Sequence, residues 1–378
     1  MLTPKSQKKV ALSKQLKPIL RRLRLKYLYR FNHLLWLFLI KERFLWHFGL
    51  NSTSIYITVP VTPLNDAPQG GSFAFYCMKF VKKAKTPEQL IPLLKSRGLQ
   101  ISDEERAKKT LQYIGYYRFS GYAYPFLADK QQHIFKSGIS FLDIYDCYTF
   151  DREFRLLLSN ALERIEIAIR TAISDYMSQK LNPHWFLEPQ HFLPQYVQKD
   201  QNRDNLSKHD DFLKRIEDNT RRSSDIFFKH YYQKYTSPKL PPSWMTFEAL
   251  EFGAISFLFS NLQNKYKTGI ARRFDISRRD LRSWLHSLSN LRNLCAHHSR
   301  VWNRNFAILP DTSGKYKHHF YQTKKVANFL VVIQIFLNQI AFQSTWKYRL
   351  QKLISEHPTI NIQYMGLPQH WSSQALWQ

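Results

Sequence analysis

Between Leu291 and Arg304 the chain runs Leu-Arg-Asn-Leu-Cys-Ala-His-His-Ser-Arg-Val-Trp-Asn-Arg, and Arg, His and Asn are concentrated here as nowhere else in the sequence. An imidazole takes up and releases a proton near neutral pH, and a planar guanidinium fork matches the oxygens of a phosphate. Together they suit cleavage of a phosphodiester, with His297 as proton carrier and Arg292 set against the charge that develops on phosphorus. On a helix, Asn293 and His297 stand one turn apart on one face, Arg300 and Arg304 continue that stripe, and Arg292 lies about 140° from His297. One copy of the chain therefore does not aim Arg292 and His297 at a single phosphate unless the helix end bends. A two-fold dimer meets the requirement, because two copies of His297 and Arg292 then surround one cleft. One imidazole would accept the ribose 2′-OH proton while the other protonates the leaving 5′ oxygen, a route that needs neither metal nor cofactor. His297 and His298 are adjacent and cannot both face one metal from one side of a helix. His298, Arg300 and Arg304 are read as contacts to RNA.

The helix that must carry this segment opens at Ser277, which forms a capping box with Asp280, and buries Leu281, Trp284, Leu285, Leu288, Leu291 and Cys295 on one face. Before it, a helix from about Thr246 is followed by a basic connector whose Arg272, Arg273, Arg278 and Arg279 are further candidates for RNA contact. The clearest periodic element spans about Ser140 to Lys180, with Phe154, Leu157, Leu158, Ala161, Leu162, Ile165, Ile169, Ala172, Ile173 and Tyr176 on one stripe, and Asn182-Pro183 ends it. Glu166 and Arg170 are spaced to pair on its surface, and Glu163 and Glu166 are placed to make helix contacts or orient Arg292. Upstream, Thr86-Pro87-Glu88 starts a helix that Gly98 stops, and a capping box at Ser102 to Glu105 starts a second. Tyr113 to Tyr122, with two glycines and a dense aromatic cluster beside Arg118, breaks helical periodicity. It either stacks RNA bases or packs the lead-in helices onto the main bundle. Residues 190–243 are polar and mixed, an insertion with short helices, and further helices are expected at about 321–341 and 344–356. No stretch alternates as a strand does.

The expected organisation is a basic N-terminal extension and linker at 1–77, a helical lead-in with the aromatic cluster at 78–139, a helical bundle at 140–307 holding the polar insertion, and a C-terminal helical region at 308–378. Residues 1–77 hold 12 Lys or Arg against two Asp or Glu. They read as a basic arm for RNA or anionic lipid, or as translated sequence upstream of a start at Met78. In the whole chain 56 Lys and Arg face 28 Asp and Glu, a formal charge of +28 that calls for an anionic partner, and nucleic acid is the commonest. With 44% hydrophobic residues, 28 Phe and 21 Tyr, general disorder is excluded, and only 11 Gly argue against a loop-rich or β-rich architecture. Cys77, Cys147 and Cys295 form no CxxC pair, so no disulfide framework or zinc knuckle is suggested and a reducing cytoplasm fits. The apolar run His33 to Ile40 is too short to cross a bilayer, so no stable membrane insertion is expected, although a Trp36-centred membrane contact remains an alternative. No GxGxxG, GxxxxGK[ST], HExxH or GxSxG occurs, which leaves dinucleotide, P-loop and common hydrolase chemistry without support.

Arg292-x4-His297, with Asn293 directly after the arginine, resembles the R-x4-6-H signature of the HEPN ribonucleases. The stretches Lys95 to Leu99, Ile114 to Arg118, Glu163 to Glu166, Arg292 to His298 and Met365 to Pro368, in this order, are similar to Abi-like proteins of the AbiD/AbiF type. This resemblance covers roughly residues 79 to 377. It implies an all-α, HEPN-type helical bundle with a helical lead-in and C-terminal helices, usually dimeric, that arrests growth during phage infection by cutting RNA. It carries over Arg292 and His297 as catalytic, with Asn293 in support, and it brings an RNA or protein antitoxin into view as a partner. The second reading is a non-catalytic RNA-binding module controlled by a structured RNA.

Overall fold

A computed structural model describes residues 83–202, 204–341 and 343–378. The expectations placed on residues 1–77, including the basic arm, the Trp36 segment and Cys77, lie outside the described residues. Within them the chain is all-α, with one two-stranded antiparallel hairpin at Leu127–Asp129 and Ile134–Phe135 that no alternation in the sequence had announced.

The lead-in comprises α1 (Pro87–Ser96), α2 (Glu104–Ile114) and α3 (Tyr116–Ala123). Thr86 caps α1 with Pro87 at its first position, and Gly98 follows its end at φ 89°, the left-handed conformation expected there. Helix α2 is capped by Asp103 rather than Ser102, because it is the Asp103 side chain that accepts the Arg106 amide. The aromatic segment differs from the expectation more strongly. It is helical, and Gly115 at φ 82° is the joint where α2 stops and α3 begins, a conformation that side chains other than glycine adopt at a cost.

Helix α4 (Phe141–Lys180) is the axis of the fold. Ser140 and Asp143 close its capping box, and its 40 residues extend about 60 Å. Phe150, Phe154, Leu158, Leu162, Ile165, Ile169 and Ile173 are fully buried, because helices pack along it from several sides. The insertion supplies α5 (Pro194–Val197), α6 (Lys208–Arg222) and α7 (Ile226–Lys234). The helix expected from Thr246 is in fact two elements, α8 (Ser243–Thr246) and α9 (Phe252–Asn261). The basic connector also folds as a helix, α10 (Asn264–Arg272), which buries Tyr266, Lys267, Ile270 and Ala271. Helix α11 (Arg278–Ala296) then lies against α9, α10 and α4, and all six of its expected core residues are buried. The C-terminal region holds α12 (Ala327–Ile340), buried at every position from Ala327 to Leu337 as a helix surrounded by others must be, and α13 (Trp346–Glu356). No described helix is long and apolar enough to cross a membrane.

Candidate active site

Helix α11 carries Arg292 and Asn293 in its last turns. The Arg292 guanidinium reaches across to α4, where Nε donates to Glu166 Oε2 at 3.3 Å and Nη2 to Oε1 at 3.4 Å, while Nη1 donates to Asn293 Oδ1 at 3.1 Å. Glu166 is buried and shared, because Arg170 one turn along α4 donates to it and also to the Leu250 carbonyl. The expected Glu166–Arg170 pair thus forms within α4, but largely buried rather than on the surface. Glu163 is exposed and takes no part. Glu166 thus serves two guanidiniums, with Glu248 4.0 Å from Arg170 as a second carboxylate, and it fixes the Arg292 side chain against α4.

His297 closes the helix. Its amide still donates to the Asn293 carbonyl at 2.9 Å, so Asn293 and His297 sit one turn apart as expected, and the end does not bend before His297. The angle of about 140° between Arg292 and His297 therefore persists. The predicted stripe stops there. His298 takes φ 54°, its amide bonds to the Cys295 carbonyl and the Ser299 amide to the Leu294 carbonyl, the two closures of a Schellman turn. Glycine usually occupies this left-handed position, and here a histidine holds it. Arg300 and Arg304 consequently do not extend the helical stripe. The Arg300 guanidinium donates to the Gly121 carbonyl and Arg304 to the Arg300 carbonyl. His297, His298 and Asn293 are exposed.

Contacts over long sequence distances hold this turn. Arg118 of α3 donates to the His298 carbonyl at 2.6 Å, so α3 and the turn exchange arginine-to-carbonyl bonds in both directions. Beneath them Asp151 of α4, fully buried, accepts the Val301 and Trp302 amides at 3.0 and 2.7 Å, the Tyr122 hydroxyl at 2.6 Å, and Arg155. Burial and the Asp151 charge raise the Tyr122 hydroxyl pKa, which keeps it a donor. From the C-terminal side Lys325 donates to Asn303 Oδ1 at 2.7 Å. Sequence reasoning missed Asp151, Arg155 and Lys325, and it singled out Arg118 without its bond to the His298 turn. The signal available was Asp151 and Arg155, four apart inside the otherwise apolar face of α4. The Cys295 thiol beside the site is pushed up to about 12, chiefly by burial, so it is no nucleophile.

The remaining candidates lie elsewhere. Arg272, Arg273, Arg278 and Arg279 are exposed near the opposite end of α11, about 28 Å from His297 along the helix. Arg273 pairs with Asp175 at 3.5 Å and Arg279 with Asp311 at 3.3 Å, while Arg278 donates to Thr268 Oγ1. Among the described residues no group of three His, Cys, Asp or Glu stands close enough to hold a metal ion.

A family model described as Abi-like protein matches residues 109–303, just over half of the chain. The match takes in Arg118, Asp151, Glu166, Arg292 and His297 and ends at Asn303. The resembling stretches at Lys95 to Leu99 and Met365 to Pro368 fall outside it. No curated protein and no solved structure matches the chain.

Proposed function

The chain belongs to the Abi-like family, and from that premise we propose that it is an abortive-infection effector, a HEPN-type endoribonuclease that works as a homodimer without a metal ion. The observation that carries this reading is the end of α11, where Arg292 is fixed by a shared carboxylate and His297 stands exposed on the last hydrogen-bonded turn.

In this reading one His297 takes the proton from a ribose 2′-OH as that oxygen attacks phosphorus. The 5′ oxygen leaves with a proton from the second His297, giving a 2′,3′-cyclic phosphate and a 5′-hydroxyl. Arg292 offers its remaining N–H groups to the phosphorane oxygens, where charge is greatest in the transition state. The persistent angle between Arg292 and His297 supports two copies, since each could complete the other's site. An RNA or protein antitoxin would then act by covering this face.

The test is induced expression of the full chain beside His297→Ala and Arg292→Ala, scored by growth and by mapping RNA ends. The expected result is arrest with cyclic-phosphate ends in the wild type, and cleavage lowered about 10²- to 10⁴-fold in His297→Ala. Arrest and RNA affinity that survive in His297→Ala would replace this reading with a non-catalytic RNA-binding module.

A further inference from the structure

Helix α3 presents a face that the chemistry above does not use. Tyr117, Gly121 and Tyr124 follow one another at steps of four and three, and Tyr124 keeps right-handed helical angles, so the three share one side of the helix. Tyr117 is 93% exposed and Tyr124 51%, an unusual state for two aromatic rings of one short helix. Between them Gly121 leaves a gap, because nothing lies within 4 Å of the place where its β-carbon would be. The two tyrosine backbones stand about 10 Å apart along the helix axis, enough to admit a flat ring between or onto their side chains. Two cations lie near: Arg118 follows Tyr117 directly in the chain, and the Lys130 ammonium lies 5.1 Å from the Tyr124 ring centre. The slot is also tied to the candidate site, since Arg118 holds the His298 carbonyl and Arg300 holds the Gly121 carbonyl.

We propose that Tyr117 and Tyr124, with Gly121 as the floor between them, form a stacking platform for unpaired RNA bases that leads a single strand to the His297 turn. Aromatic faces accept any base but need it unpaired, because a base inside a duplex has both faces covered. Arg118 and Lys130 serve the backbone phosphates, and the excess charge of the chain has the sign this ligand demands. The platform rests on the ribonuclease reading only for its substrate; its binding can be measured apart from cleavage.

The experiment uses the full chain with His297→Ala as background, a short fluorescent RNA without secondary structure, and the same strand annealed to its complement, followed by anisotropy. Tyr117→Ala with Tyr124→Ala should weaken single-strand binding about 10- to 100-fold while duplex binding changes less than about twofold. The paired Phe variants should bind as the background does. Gly121→Leu, which favours the helix but fills the slot, should reproduce the loss. Equal affinity in the Ala variants overturns the platform, as does an equal loss for both RNAs. A change of mass in light scattering with RNA affinity intact overturns it too, and assigns the face to a protein contact. The nuclease fails separately: if cleavage persists in His297→Ala while binding still depends on the tyrosines, the platform stands without it.

Discussion

His298 occupies a backbone conformation that costs a side-chain-bearing residue about 1–2 kcal/mol relative to the right-handed region. The Schellman turn around it needs that conformation and would accept glycine at no such cost. A histidine at a strained position directly after the candidate His297 is the kind of outlier from which a functional role is inferred. His298→Gly should therefore raise stability by about 0.5–1 kcal/mol in urea unfolding, because relief of strain exceeds the added freedom of the unfolded chain. RNA cleavage should fall in the same variant, since its imidazole is lost from the turn. Loss of stability would show that the imidazole makes up for the strain and would end the argument. Glu166 differs in kind: its contact is with Arg292, which it holds against α4.

At the scale of elements, the turn after α11 is built by helices far away in sequence, and Asp151 is where they meet. Its two oxygens accept two amides of the turn, a hydroxyl from α3 and a guanidinium from its own helix, with no solvent exposure. Asp151→Asn keeps the shape but removes the charge and leaves a donor facing donors, so it should cost about 3–5 kcal/mol. Limited proteolysis should then open the chain between Ser299 and Asn305. A variant within about 1 kcal/mol of the wild type, with the turn still protected, would mean that Arg118 and Arg300 suffice. This junction also marks the border of what the sequence discloses. The caps and buried faces of α1, α4 and α11 were legible, because apolar period and capping chemistry act within a few residues. The Arg118 to His298, Asp151 to Val301 and Glu166 to Arg292 contacts join residues more than a hundred positions apart, and no local period encodes them. Two segments are hard to read locally for physical reasons. Gly115 breaks the helical period yet is the joint of two helices, and the lysines of α10 hide it, since only a narrow side is buried. The turn at His298 gave no warning because no glycine marks it.

Along the sequence the excess of positive charge is spread rather than confined to the segment that carries the candidate site. Residues 1–77 carry 12 cations against two anions, and the remainder still holds 44 against 26. Association with RNA should therefore weaken steeply with salt, by a factor set by how many phosphates displace counterions, at about 0.7 in the log–log slope for each on a single strand. The arginines at the start of α11 decide how far the contact extends. Arg272 and Arg278 are exposed with no carboxylate partner among the described residues, whereas Arg273 and Arg279 have one each. At about 28 Å from His297 they are too far to join the chemistry, but a single strand crossing both ends of α11 would span that distance in a handful of nucleotides. If it does, Arg272→Gln with Arg278→Gln should lower the salt slope by about 1.4 and weaken all sequences alike, with the cleavage rate at saturating RNA unchanged. An unchanged slope would confine the RNA to the His297 end of the helix. The surplus charge around Arg272 would then serve solubility or a different anionic partner.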